Sequence, residues 1–159
     1  MSAILNTKMF FSTHVNRIDL KGRVSFPASF RAALNARGSQ GVVIYRSPAD
    51  RAIEGITAER MHAMGEALES LSQYAPERAF FETAIFGTAQ VLQIDPEGRC
   101  SLPRPLLDQV GITTEVAFLG RGSIFQIWDP AALEARAVES AEALKTGAIA
   151  FPTLPAGVL

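Results

Sequence analysis

The chain has 159 residues, 48% of them apolar and 19% charged, with a net charge of −1; this suits one compact domain, or two half-size modules around a shared core, and argues against a generic nucleic-acid coat protein. Its single cysteine, Cys100, excludes an intramolecular disulfide and fits a reducing compartment. No apolar run approaches the roughly 20 residues of a membrane span, and residues 1–9 lack the long apolar stretch of a secretory signal, so the cytoplasm is the expected location.

Along the chain, one ten-residue phrase occurs twice. Ile-Asp-Leu-Lys-Gly-Arg-Val-Ser-Phe-Pro at 18–27 returns 76 residues later, without a gap, as Ile-Asp-Pro-Glu-Gly-Arg-Cys-Ser-Leu-Pro at 94–103. A repeat of this length implies two related modules, each read as hairpin, short helix, hairpin, longer helix. In the first, 13–18 is a strand, and Asp19-Leu20-Lys21-Gly22 suits a type I turn closing into a bulge, because glycine tolerates a positive φ. Residues 24–26 form the return strand, which Pro27 ends for want of an N–H. Phe30, Ala33 and Leu34 have helical spacing, and the apolar runs 41–45 and 52–56 flank a second hairpin turn at Ser47-Pro48-Ala49-Asp50. Thr57 suits the N-cap of a helix striped by Met61, Met64, Leu68 and Leu71.

A connector helix follows, with Pro76 in its first turn, Phe80, Phe81, Ala84 and Ile85 as its apolar face and Gly87 as its C-terminal cap. The second module repeats the plan: strand 91–94, turn Asp95-Pro96-Glu97-Gly98, return strand 100–102, and a short helix opened by Pro105 and capped by Gly111. The strands 115–119 and 123–128 then meet at Gly120-Arg121-Gly122, and Asp129-Pro130 caps a helix over 131–145. The tail, 147–159, holds two prolines and few polar residues; it suits a disordered end or an apolar strap. The expected boundaries are 9–75 and 89–146 for the modules and 76–88 for the connector. Neither half is long enough for a comfortable core alone, so pseudo-two-fold packing around a shared core is expected.

No catalytic pattern emerges. His62 has no second ligand one helical turn away, His14 stands alone before the first motif, and Cys100 alternates on a strand as a small core residue would. Asp19 and Asp95 open turns before glycines and read as turn-formers, since such side chains bond the backbone two residues on. Gly120–Gly122 lacks the Lys-Ser/Thr of a phosphate loop. No metal and no cofactor is expected.

The arginines carry more. Arg23 and Arg99 each follow the turn glycine and start a return strand. Singly, each suits an exposed charge or a salt bridge to Asp19 or Asp95; as a pair they favour anion binding. The first copy also gathers Arg17, Lys21 and Arg31 around it. Residues 1–37 carry six basic side chains and one acidic, residues 38–76 carry three and five, and residues 77–159 carry six and ten, so the blocks hold +5, −2 and −4. The guanidinium fork suits phosphate and the O6/N7 edge of guanine, which makes nucleic acid the natural ligand and the first copy the stronger binder.

The stretch Met-Phe-Phe-Ser-Thr-His-Val-Asn-Arg-Ile-Asp-Leu-Lys-Gly-Arg at 9–23, followed by Pro27 and Phe30-Arg31, resembles the opening of the MraZ family. The second motif with Leu102-Pro103, the block Val116-Ala117-Phe118-Leu119-Gly120-Arg121-Gly122 and Phe125-Gln126-Ile127-Trp128 is similar to that family too. The resemblance spans 9–136 and leaves residues 1–8 outside. It implies an α+β, β-rich chain of two tandem AbrB-like modules, of the swapped-hairpin, double-split β-barrel type. It further implies a transcriptional regulator, encoded at the head of the bacterial division and cell-wall gene cluster, that assembles into a ring and binds short repeated boxes in double-stranded DNA. The Asp-x-x-x-Arg pairs, here Asp19/Arg23 and Asp95/Arg99, would mark the DNA-facing surface of a nucleoid-associated protein. Pro96-Glu97 replaces Leu20-Lys21 in the second turn, which weakens its expected share. The rival reading is an AbrB-like antitoxin or protein-binding scaffold.

Overall fold

The computed structural model describes residues 7–39 and 41–158. The described residues form eight strands and five α-helices, in the order β1 (Thr13–Arg17), β2 (Arg23–Ser25), α1 (Ala28–Arg37), β3 (Val42–Arg46), β4 (Ile53–Thr57), α2 (Ala58–Leu68), α3 (Pro76–Ala84), β5 (Gln90–Leu92), β6 (Arg99–Ser101), α4 (Arg104–Gln109), β7 (Glu115–Gly120), β8 (Phe125–Trp128) and α5 (Pro130–Lys145). Local signals set several boundaries. The Thr57 hydroxyl accepts from the Arg60 amide at 3.1 Å and opens α2; the Asp129 carboxylate accepts from the Ala132 amide at 3.1 Å and opens α5 at Pro130.

Strand pairing departs from the expected pair of local hairpins. The turns at 19–22 and 95–98 close, each with a backbone bond from the glycine amide to the aspartate carbonyl, 3.0 and 2.9 Å. Their flanking strands then diverge, keeping only the bridges Ile18–Val24 and Ile94–Cys100. β1 runs antiparallel to β7 and β5 to β3, in a six-stranded sheet of order β1-β7-β8-β4-β3-β5; β2 and β6 form a separate ribbon. Exchanging equivalent strands of the two halves returns the same order. The register agrees: Val24 faces Cys100, its partner in the repeat, and Glu54 faces Gln126 where the central strands β4 and β8 meet. Crossing over is favoured because a three-residue return strand has one inward side chain to bury. Val24 against Cys100 buries both at once.

The inner face of the sheet packs on the ribbon, α1 and α4. Its centre is a group of edge-on rings: Phe10, Phe26, Phe30, Phe118 and Phe125, with centroids 5.2–6.3 Å apart. β4 and β8 are covered on both sides. On the outer face Trp128 and Leu133 of α5 form one cluster, and Tyr45, Ile56 and Ile85 another. Between the clusters, the Gln126 amide donates to Glu54 at 2.9 Å and accepts from the Trp128 indole N–H at 2.9 Å. Arg136 of α5 donates to Asp50 in the β3–β4 loop at 2.7 Å. Burial pushes the Asp50 carboxyl up, but the bonds from Arg136 and Gln126 outweigh it and hold the group below its ordinary range.

The connector differs from its expected form. Gly87 does not cap α3: the helix ends at Ala84, Ile85 takes the cap position, and Gly87 sits within a 3-10 turn at Phe86–Thr88. Only Ile85 of the expected apolar face is buried. Phe80 and Phe81 are 72% and 48% exposed, while Arg78 turns inward to donate to the Leu71 carbonyl at 3.0 Å and to Glu82 at 3.3 Å. The docking of this segment through Arg78 and Ile85 leaves Phe80, Phe81 and Ala84 of the expected face outward. Leu71 lies beyond the end of α2 and is exposed. Residues 148–158 carry no helix or strand, with Ile149, Phe151, Leu154 and Val158 all at least half exposed. No helix among the described residues is long and apolar enough to cross a membrane.

Candidate nucleic-acid interface

The site begins with the pleat of the two-stranded ribbon. Alternation sends Val24 and Cys100 into the core and leaves Arg23, Ser25, Arg99 and Ser101 on the outer face. Because Arg23 pairs with Ser101 and Arg99 with Ser25, the two arginines lie diagonally across that face, related by the exchange of halves. The end of β1 brings Arg17 alongside. A shallow groove of about 460 Å³ is lined by Arg17, Asp19, Arg23 and Arg99. Asn16 ties β1 to the ribbon, its side-chain amide donating to the Ser25 carbonyl at 2.8 Å.

Each arginine is placed by its turn. Asp19 Oδ1 accepts from the backbone amides of Lys21 and Arg23, both at 2.9 Å, and Oδ2 accepts from Arg23 Nε at 2.7 Å. One carboxylate thus shapes the turn and holds the guanidinium by its inner nitrogen, leaving the Nη fork for another partner. The Arg23 amide first, and its guanidinium second, hold the Asp19 carboxyl below its ordinary range. The second turn is built alike but held less closely. Asp95 Oδ1 accepts from the Arg99 amide at 2.9 Å, while Arg99 Nε stands 3.9 Å from Asp95 Oδ2, an ion pair without a hydrogen bond.

The comparisons with known proteins bear on the family. A family model described as "MraZ protein, putative antitoxin-like" matches residues 85–148. The transcriptional regulator MraZ of Pelagibacter ubique is 44% identical over 126 residues, 79% of this chain and 81% of its own length. The proteins of the same name from Rickettsia bellii and Rickettsia canadensis are 42% and 41% identical, each across 77% of this chain and 82% of their own. The chain belongs to the MraZ family. The two copies of its repeated motif form one ribbon.

Other side chains singled out in this MraZ chain lie around the ribbon or away from it. Lys21 is exposed at the tip of the first turn. Arg31, on α1, does not line the groove of Arg17, Arg23 and Arg99. Its guanidinium lies flat against Gly98 and borders a second groove, of about 670 Å³, with Asp95 and Pro96. His14 Nε2 lies 3.2 Å from the Ser29 hydroxyl, and His62 is an exposed partner of Glu66 at 3.2 Å. Burial pushes the Cys100 thiol up to about 12, so it serves the core as a small apolar side chain. The described residues hold no cluster of three or more potential metal ligands. Sequence reasoning missed Arg104, whose Nη2 donates to the carbonyls of Asp19 and Leu20 at 3.1 and 3.2 Å. Its partners lie 85 and 84 residues away, so no local pattern announces it.

Proposed function

We propose that this MraZ-family chain is a sequence-specific DNA-binding transcription regulator, and that it tunes the division and cell-wall gene cluster containing its own gene. The observation that carries the reading is the gathering of Arg17, Arg23 and Arg99 around one groove on the outer face of a two-stranded ribbon. Ribbon readers enter a DNA groove with paired strands instead of a helix. The exposed forks of Arg23 and Arg99 then bind phosphate or the O6/N7 edge of guanine. Asp19 and Asp95 aim those forks, Lys21 and Arg17 add charge beside the first, and Arg31 adds charge beyond the second turn. Residues 9–75 and 89–146 act as AbrB-like modules of a swapped-hairpin, double-split barrel, joined by the connector 76–88; the pairing of β1 with β7 and of β2 with β6 supports this. The chain works in the cytoplasm at the nucleoid.

A net charge of −1 leaves each chain a weak binder, so several copies in a ring engage several promoter boxes together. The exposed Phe80 and Phe81 of α3 supply surface for such contacts. Light scattering at micromolar concentration is expected to give a multiple of 17.1 kDa; a stable monomer sinks the ring. The decisive test of the function is an electrophoretic shift with duplex DNA from upstream of the protein's own operon, at two salt concentrations. Retardation that weakens with salt and exceeds that of a scrambled duplex supports the reading. Equal affinity for both duplexes, or none, favours the antitoxin or scaffold reading.

A further inference from the structure

The first turn is seated on the other half of the molecule. The Gly22 carbonyl accepts from the Leu102 amide at 2.8 Å, at the corner where β6 passes into α4. Gly22 has φ +82°, and a Cβ there would overlap the Leu102 carbonyl oxygen, so the turn rests backbone to backbone on that corner. Two residues further on, Arg104 opens α4 and reaches back over the turn. Its Nη2 donates to both the Asp19 and the Leu20 carbonyl. The Asp19 carbonyl also closes the turn, by accepting from the Gly22 amide at 3.0 Å, and the Asp19 carboxylate holds Arg23. Arg104 is half-buried, has no carboxylate within ion-pair distance among the described residues, and does not line the groove of Arg17, Arg23 and Arg99.

We propose that Arg104 is a positioning residue for Arg23: from the second half of the chain it clamps the first turn by two carbonyls and so sets where the Arg23 fork stands, without touching nucleic acid itself. The proposal deepens the DNA-binding reading and rests on it for its effect on affinity. The chemistry is simple. A guanidinium makes strong bonds to neutral carbonyls, and two carbonyls in succession fix the turn's tilt where one would leave a pivot. Without the clamp the turn keeps its internal bonds and its seat at Leu102, yet its tip is free to rock, carrying Asp19 and Arg23 along.

The experiment uses the full chain with Arg104→Met, which keeps the stem and removes the donors, and Arg104→Lys, which keeps the charge and one donor group. The probe is the operon-upstream duplex, titrated over a range of salt. Arg104→Met is expected to weaken binding roughly tenfold, with the slope of log K against log salt unchanged, and to speed hydrogen exchange at the Gly22 amide without DNA present. Arg104→Lys recovers part of both and stays informative if the Met variant folds poorly. A slope that falls by about 0.9 overturns the proposal, since Arg104 would then be a phosphate contact in its own right. Unchanged exchange at Gly22 with unchanged affinity overturns it as well. If the wild-type chain ignores the duplex while Gly22 exchange and the Arg23 Nε–H resonance still respond to Arg104→Met, the DNA reading fails and the clamp on Arg23 stands.

Discussion

The turns at 19–22 and 95–98 share their first Asp and last Gly, their length and their backbone, with glycine at φ +82° in both, but they hold their arginines differently. Asp19 grips Arg23 Nε at 2.7 Å, whereas Asp95 leaves Arg99 Nε at 3.9 Å. Arg104 binds two carbonyls of the first turn; against the second lies Arg31, packed flat on Gly98. Lys21 at the tip of one is Glu97 at the tip of the other. The difference teaches that a short motif specifies a backbone shape but not how closely its aspartate holds the arginine, and that the two turns meet different neighbours from the other half. It also gives the charge asymmetry of the chain a structural counterpart, since the better-held arginine sits in the block of +5.

Removing the glycines should produce the largest contrast. Gly22→Ala places a Cβ into the Leu102 carbonyl in a conformation that alanine resists, and is expected to cost about 3 kcal/mol or more of folding stability. Gly98→Ala meets the same backbone strain, but its Cβ would stand 2.8 Å from Arg31 Cζ, the end of a side chain able to move; about 1–2 kcal/mol is expected. Both turns are seated by an equivalent backbone bond, Leu102 amide to Gly22 carbonyl and Phe26 amide to Gly98 carbonyl, each 2.8 Å. Thermal or denaturant melts of the two variants therefore isolate what the added Cβ meets, and equal costs would mean that the Leu102 carbonyl yields as easily as the Arg31 side chain.

Next in size is the loss of each arginine. Arg23→Ala should cost roughly 1–3 kcal/mol of specific DNA binding with the fold intact, and Arg99→Ala less, in matched binding curves. The reverse order would break the comparison. It can also be sharpened from the weaker side: Glu97→Lys gives the second turn the charge of the first, and should tighten binding and steepen the salt slope by about 0.9 if it gains a phosphate. No change in slope would leave the second tip away from the DNA.

The smallest effect is a titration. Because the folded Asp19 carboxyl is held below its ordinary range, its contribution to the turn is complete above that range and is lost as pH falls through the lowered value. Carboxyl-carbon NMR should therefore place its midpoint below an ordinary aspartate's. In Arg23→Ala the midpoint should rise only part of the way, since the amides of residues 21 and 23 still donate to Oδ1. Full return to the ordinary value would assign the whole shift to the guanidinium.

Much of this was written locally. Asp and Gly at fixed offsets make the two turns, Thr57 and Asp129 make the helix starts, and the ten-residue repeat announces two equivalent halves, because each of these depends on bonds a few residues long. The candidate site was legible as a set of residue types, and the structure gathers Arg17, Asp19, Arg23 and Arg99 into one groove while placing Arg31 beyond the second turn. Partnership was not legible. Alternation tells which face of Arg23–Ser25 is buried but not which strand lies beside it, and the two copies offer the same apolar alternation, so only burial of Val24 against Cys100 and the joining of β4 to β8 decide that the halves interlock. The outward face of α3 and the reach of Arg104 were decided the same way, by contacts between residues far apart in the chain, whose energies depend on how the halves dock and leave no period or motif in the sequence.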